Sequence, residues 1–147
     1  MSIYHQHDAI REKKNLKNHK PYNFDGKGQK ILVVEDEPAI LRMLKKLLSQ
    51  HNFIVYAAAT CREAKEIFSR ESGNFSVIFS DVTLPDGNGL NLVNQFLDSN
   101  PHLHVVLASG YTEEYLDLPD LKQQGISFIL KPYSLKKLFL LILQIGA

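Results

Sequence analysis

Three carboxylates, one hydroxyl and one ammonium stand in this 147-residue chain, each directly after an apolar run. Glu35 and Asp36 follow "KILVV", Asp81 follows "FSVIFS", Ser109 closes "LHVVLAS", and Lys131 follows "ISFIL" and precedes Pro132. A carboxylate at the end of a buried-looking strand needs a neighbour of opposite charge. Clustered carboxylates repel and raise at least one pKa unless a cation intervenes. All-oxygen ligands with room for water suit Mg²⁺ better than zinc or copper. A lysine is a mobile point charge that meets a phosphate or a carboxylate, and a serine hydroxyl donates to an anionic oxygen. Together these groups fit a site where a divalent ion and Lys131 neutralise a phosphoryl group while Asp81, the central carboxylate, attacks it. Each residue has a plainer reading alone. Asp81 could cap the Pro-Asp-Gly-Asn-Gly turn, Glu35 and Asp36 could cap the helix that starts at Pro38, and Lys131-Pro132 could be an ordinary turn. The agreement of four strand ends on one chemistry favours the joint site.

The elements that must position these groups follow from the pattern of the chain. From residue 30 onward, short apolar runs suited to strands buried on both faces alternate with segments of helical period. The strands are "KILVVE", "NFIVYAA", "FSVIFS", "LHVVLAS" and "ISFIL". The first helix has Pro38 at its start and a stripe of Ile40, Leu44, Leu47 and Leu48. The second opens on Thr60 and Glu63 in capping-box spacing. The third runs from about Gly89 to Ser99, the fourth over 112–123 with Pro119 making it irregular, and the last lies in "SLKKLFLLILQI". Five strands alternating with five helices predict an α/β fold, a doubly wound parallel sheet of flavodoxin-like (βα)5 type with strand order 2-1-3-4-5. Ligands of such sheets sit beyond the carboxyl ends of the strands, where the five groups would converge.

Composition narrows the class. An apolar fraction of 44% with 22% charged residues is that of a soluble globular chain able to bury a core. The single cysteine, Cys61, excludes an internal disulfide framework and fits a reducing, cytoplasmic setting. No apolar run approaches membrane-spanning length. Residues 1–30 hold seven Lys/Arg against three Asp/Glu, whereas the remainder holds ten against thirteen. Residues 1–29, without sustained period and with His5, His7 and His19, read as a basic, flexible arm or linker before a domain over 30–147. The three histidines read as tail rather than metal site. Nucleic-acid binding would rest on this arm alone and is not expected, since the chain stops at Ala147 after the last helix.

The stretches "ILVVEDEP", "VIFSDVTLPDGNGL", "VVLASGYTEE" and "FILKPYS" resemble, in order and spacing, the receiver domain of two-component response regulators. The wording of "SGYTEE" and "FILKPYS" looks most like receivers of hybrid sensor histidine kinases. The resemblance implies Asp81 as the phosphoacceptor, and Glu35, Asp36, Asp81 and the backbone carbonyl of Thr83 as Mg²⁺ ligands. It also implies Ser109 as the switch hydroxyl, Phe128 as the switch aromatic and Lys131 as the lysine that pairs with the phosphoryl group. The departures are Glu35 for the first aspartate of the acidic pair, Ser109 where threonine is commoner and Phe128 where tyrosine is common. The partner implied is a sensor histidine kinase or a histidine phosphotransfer domain, and the chemistry is self-phosphorylation with slow self-hydrolysis rather than conventional enzyme turnover. Four finer expectations follow. The Lys131–Pro132 bond is cis, and the first helix docks the kinase through Met43, Lys46 and Gln50. The last helix, with Leu140, Leu141 and Leu143 outside its stripe of Leu138, Phe139, Ile142 and Ile145, offers a homodimer or downstream-protein surface, or is buried beneath the arm. Tyr111 shields the phosphorylated site from water.

Other functions compete with this one. An aspartyl-phosphate phosphatase of the haloacid dehalogenase type needs a second acid two places after the nucleophile, where Thr83 stands, and a nucleophile on the first strand. A flavodoxin-like cofactor binder needs a phosphate loop after strand 1, where "EDEP" would repel a phosphate lacking a metal. A phosphorylation-independent pseudo-receiver is argued against by the intact residue set.

Overall fold

Strand and helix boundaries in the computed structural model, which describes residues 23–110 and 118–143, follow the alternation of the sequence. In chain order they are β1 (Lys30–Val34), α1 (Pro38–Gln50), β2 (Ile54–Ala58), α2 (Cys61–Arg70) and β3 (Val77–Asp81). Next come β4 (Thr83–Leu84), β5 (Gly87–Asn88), α3 (Gly89–Ser99), β6 (His104–Ser109), α4 (Leu118–Gln123), β7 (Ile126–Leu130) and α5 (Leu135–Leu143). The main sheet is parallel with order β2-β1-β3-β6-β7. Setting aside the small β4–β5 ribbon, this is the expected 2-1-3-4-5 order.

Parallel strands of this type are apolar on both faces because helices cover both. Every residue of β3 is buried, and the sheet separates two cores. One contains Leu32, Ile78, Val105 and Leu107 beneath α2, α3 and α4, with Phe68 stacked on Phe96 at 4.1 Å between ring centroids. The other contains Ile31, Val33, Phe79 and Val106 beneath α1 and α5. On α1, Leu44 and Leu48 are buried, with Ile40 and Leu47 packed beside them, as the helical spacing requires. At α2 the Thr60 hydroxyl accepts the Glu63 N–H at 3.1 Å, which completes the predicted cap.

Two features were not legible beforehand. The turn after Asp81 folds into an antiparallel ribbon, Thr83 opposite Asn88 and Leu84 opposite Gly87. Within the stretch read as an arm, the described residues Phe24 to Gln29 lie on the domain. Gly26 N donates to His51 O at 2.6 Å, Gly28 N to Asn52 O at 2.7 Å, and Phe24 stacks on Phe139 with centroids 5.6 Å apart. A Cβ at Gly26 would sit 2.5 Å from the Phe53 ring, so only glycine permits this approach.

The last helix divides between its two expected readings, and Ile145 lies outside the described residues. Leu138, Phe139 and Ile142 are buried as expected, but Leu141 and Leu143 also pack on the core of their own domain. Only Leu140 is strongly exposed among the three expected to form a further surface. Burial beneath the preceding segment accounts for Phe139, whose ring meets Phe24 on one side and His51 on another.

Candidate functional site

The register of the parallel ladders brings the strand ends level. Val34 pairs with Ser80, Asp81 with Ala108, and Ser109 with Leu130. The next residue on β1 is therefore Glu35, and the next on β7 is Lys131. Glu35 N continues the ladder to Ala58 O at 3.0 Å, and Lys131 N donates to Ser109 O at 2.8 Å.

Asp81 and Glu35 are each 1% exposed, whereas Asp36 is exposed. Carboxylate oxygens of all three lie within 4.8 Å of one another. Lys131 Nζ forms an ion pair with Asp81 Oδ1. Asp81 Oδ2 and Glu35 Oε2 are buried without a hydrogen-bond donor among the described residues. Buried polar atoms are ordinarily satisfied, so two orphaned oxygens facing a third carboxylate mark a place for a cation. The donor set is hard and anionic, as Mg²⁺ requires. The acidic pair does not cap α1. Its N-cap position is Glu37, which makes no side-chain cap, although Glu37 N donates to Glu35 Oε1 at 3.0 Å.

Electrostatics at the site follow from this crowding. Burial pushes the Glu35 carboxyl up to about 7, and the neighbouring Asp81 carboxylate pushes the same way. The Glu37 N–H and the Lys131 charge oppose them. For Lys131, burial works against the charged form, but the Asp81 carboxylate and the charges of Asp81, Glu35 and Asp36 outweigh it and raise its pKa.

Ser109 is buried at the end of β6, and its hydroxyl donates to Gly110 O at 3.1 Å. Phe128 is half-buried on β7, packed against the core that contains Leu107 and Ile126. Thr83 follows Asp81 by two residues at the start of the ribbon. The Lys131–Pro132 bond is cis, as expected. Tyr111 lies outside the described residues.

The sequence reading missed two residues that shape the site. A Cβ at Gly89 would lie 1.8 Å from Asp81 O, so glycine alone allows α3 to begin directly against the phosphoacceptor candidate. The Gly89 N–H also donates to Val82 O at 2.6 Å. The Tyr133 ring meets Phe79 edge-on at 5.9 Å, and burial, then the charges of Glu35 and Asp81, raise its hydroxyl pKa above the ordinary range. Its place two residues after Lys131 was the available signal.

A family model of the response regulator receiver domain matches residues 31–143. The chain belongs to the receiver domain family. Among its relatives, response regulator protein PilR of Pseudomonas aeruginosa is 33% identical over 110 residues, covering 75% of this chain and 24% of PilR. Sensor kinase CckA of Brucella abortus is also 33% identical over 110 residues, covering 74% of this chain and 11% of CckA. The receiver chain thus spans a quarter or less of these curated relatives. A receiver domain protein from Clostridium thermocellum superposes with TM-score 0.72 at 25% identity, over 80% of this chain and 93% of that one. The receiver domain from hybrid histidine kinase CckA superposes with TM-score 0.67 at 26% identity, over 80% of this chain and 99% of that one. The likeness to receivers of hybrid kinases read from "SGYTEE" and "FILKPYS" agrees with the two CckA matches. Among the described residues no helix is long and apolar enough to cross a membrane. As a receiver, the chain is a signalling domain of two-component systems. Asp81 ends the third strand of the sheet, not the first, which further sets aside the dehalogenase-type reading.

Proposed function

We propose that this receiver takes a phosphoryl group from a phosphohistidine onto Asp81 and switches conformation in response. The observation that carries the reading is the buried Asp81 carboxylate, paired by Lys131 on one oxygen and left without a donor on the other, beside Glu35 and Asp36.

In the reaction an Asp81 oxygen forms a bond to phosphorus as the bond from phosphorus to the imidazole nitrogen breaks. The electron pair returns to the ring, and the product on this chain is an acyl phosphate. Glu35, Asp36, Asp81 and the Thr83 carbonyl would hold Mg²⁺, which supplies positive charge to the phosphoryl oxygens. Lys131 leaves its ion pair with Asp81 to meet those oxygens, drawn by the greater negative charge of the phosphoryl group. Ser109 gives up its bond to Gly110 O and turns its hydroxyl to the phosphoryl group. Phe128, half-buried on the neighbouring strand, turns inward into the space released, which repacks the face of α4, β7 and α5 as a two-state switch.

The partner, a sensor histidine kinase or a histidine phosphotransfer domain, docks on α1. Beside Lys131 lies a groove of about 410 Å³ lined by Ile40, Met43, Lys131, Pro132, Tyr133 and Leu135. Met43 is 41% exposed and Lys46 is exposed, whereas Gln50 is half-buried and contributes less. The exposed Leu118, Leu130 and Leu140, one each on α4, β7 and α5, support a second surface for a homodimer or a downstream protein on the switching face.

The test is incubation with acetyl phosphate and separation on a phosphate-affinity gel. A shifted band is expected in Mg²⁺. Persistence of that band in Asp81→Asn, or in excess chelator, would overturn the assignment.

A further inference from the structure

The ribbon that follows Asp81 is fastened to two helix starts. At its base, the Asn88 side-chain oxygen accepts Leu90 N at 2.7 Å and Asn91 N at 3.3 Å, which caps α3. At its tip, Asp86 reaches a different helix. Asp86 Oδ1 accepts Cys61 N at 2.8 Å and Oδ2 accepts Arg62 N at 3.0 Å, the first two N–H groups of α2. The α2 N-terminus is already served by Thr60 at the Glu63 N–H, so Asp86 takes the two donors that Thr60 leaves. The next residue, Gly87, lies close enough that a Cβ there would be 3.2 Å from Cys61 Sγ. Thr83 stands at the base of the ribbon, paired with Asn88 across it.

We infer that Asp86 is a positioning residue for the metal and phosphoryl site, acting through the ribbon that carries the Thr83 carbonyl. A two-residue ribbon has too few ladder bonds to be stable alone. With the tip tied to α2, the Thr83 carbonyl is held on the side of Asp81 before a ligand arrives. With the tip released, the ribbon exchanges between seated and unseated forms, and affinity falls to its intrinsic value multiplied by the seated fraction. Asp86 is placed to act by its geometry, since both of its carboxylate oxygens are engaged by N–H groups of α2. Its carboxylate is engaged with α2, where the Arg62 and Cys61 N–H groups hold its pKa below the usual range.

This inference rests on the proposal that Glu35, Asp36, Asp81 and Thr83 hold Mg²⁺. The experiment uses the full chain without phosphodonor and measures the Mg²⁺ dissociation constant by isothermal titration, together with amide hydrogen exchange of residues 82–89. Asp86→Ala is expected to weaken Mg²⁺ by up to about fivefold, the equivalent of one helix cap lost. Exchange is expected to speed up at 82–89 and in the first turn of α2, with β1 and β6 unchanged. Asp86→Asn keeps one acceptor oxygen without the charge and is expected to recover most of the affinity. Equal affinity in wild type and Asp86→Ala overturns the inference, and so does an Asp86→Asn loss as large as that of alanine, which would assign the effect to charge. If Asp86→Ala does not fold, Asp86→Glu, which keeps the charge but lengthens the arm, must weaken Mg²⁺, and wild-type affinity there overturns the inference. Wild type that binds no Mg²⁺ overturns the metal-site reading and this inference with it. Wild type that binds, with binding lost in Asp36→Asn, keeps that reading even where Asp86 proves silent.

Discussion

Replacing Glu35 by glutamine should make the metal-free domain more stable at neutral and alkaline pH. Glu35 is 1% exposed, and its carboxyl titrates at about 7 in the folded state against 4.5 for the free group. A folded pKa above the unfolded one means that the folded state binds the extra proton between these values. The stability associated with that proton is fully present below about pH 4.5 and is lost as pH rises through 7. At 1.36 kcal/mol per pKa unit, the loss amounts to about 3 kcal/mol by pH 8. Glutamine retains an oxygen for the Glu37 N–H and presents an amide toward Asp81, yet cannot ionise. The stability difference between Glu35→Gln and wild type should therefore grow from about 1 kcal/mol at pH 5 to about 3 kcal/mol at pH 8. The assay is urea unfolding in excess chelator at four pH values. His104, whose pKa is lowered by burial, loses its contribution as pH falls in both proteins and cancels in the difference. Saturating Mg²⁺ should reverse the order, because a ligand that binds only the folded state stabilises it in proportion to its affinity. A difference that stays flat from pH 5 to 8 in chelator would refute the electrostatic reasoning. So would a less stable variant at pH 8.

Other consequences are equally direct. Gly89→Ala places a Cβ 1.8 Å from Asp81 O, so it should destabilise the fold by about 3 kcal/mol or more and abolish acetyl-phosphate labelling; unchanged chemical denaturation would contradict the geometry. Met43→Asp should leave stability within about 0.5 kcal/mol and labelling by acetyl phosphate intact while slowing transfer from a phosphorylated histidine partner, as read in a radiolabel transfer time course. Leu140→Glu should leave the melting temperature unchanged and reduce any self-association seen by sedimentation with a phosphoryl mimic. Tyr111→Ala should shorten the life of the phosphorylated state, measured as decay of the labelled band in excess Mg²⁺.

By itself the sequence determined the alternation of strands and helices, because runs such as "ILVV" and "VVLA" have no polar face to show to water and suit strands covered on both sides. It also determined which residues end those strands, and thereby Glu35, Asp36, Asp81, Ser109 and Lys131 as one chemical set. Only the tertiary structure decided how these groups are shared out. Ladder register levels the strand ends, Lys131 pairs with one Asp81 oxygen, and the other oxygen joins Glu35 Oε2 without a donor. The last helix stayed open between a partner surface and burial for a related reason. A helical period shows which residues are apolar, but not that Phe24 would stack on Phe139 or that Leu141 and Leu143 would meet their own core. The ribbon after Asp81 was hidden most completely. Nothing local to "LPDGNG" says that its aspartate would reach the start of a helix 25 positions earlier, because a cap is found by the N–H groups that chain packing brings to it.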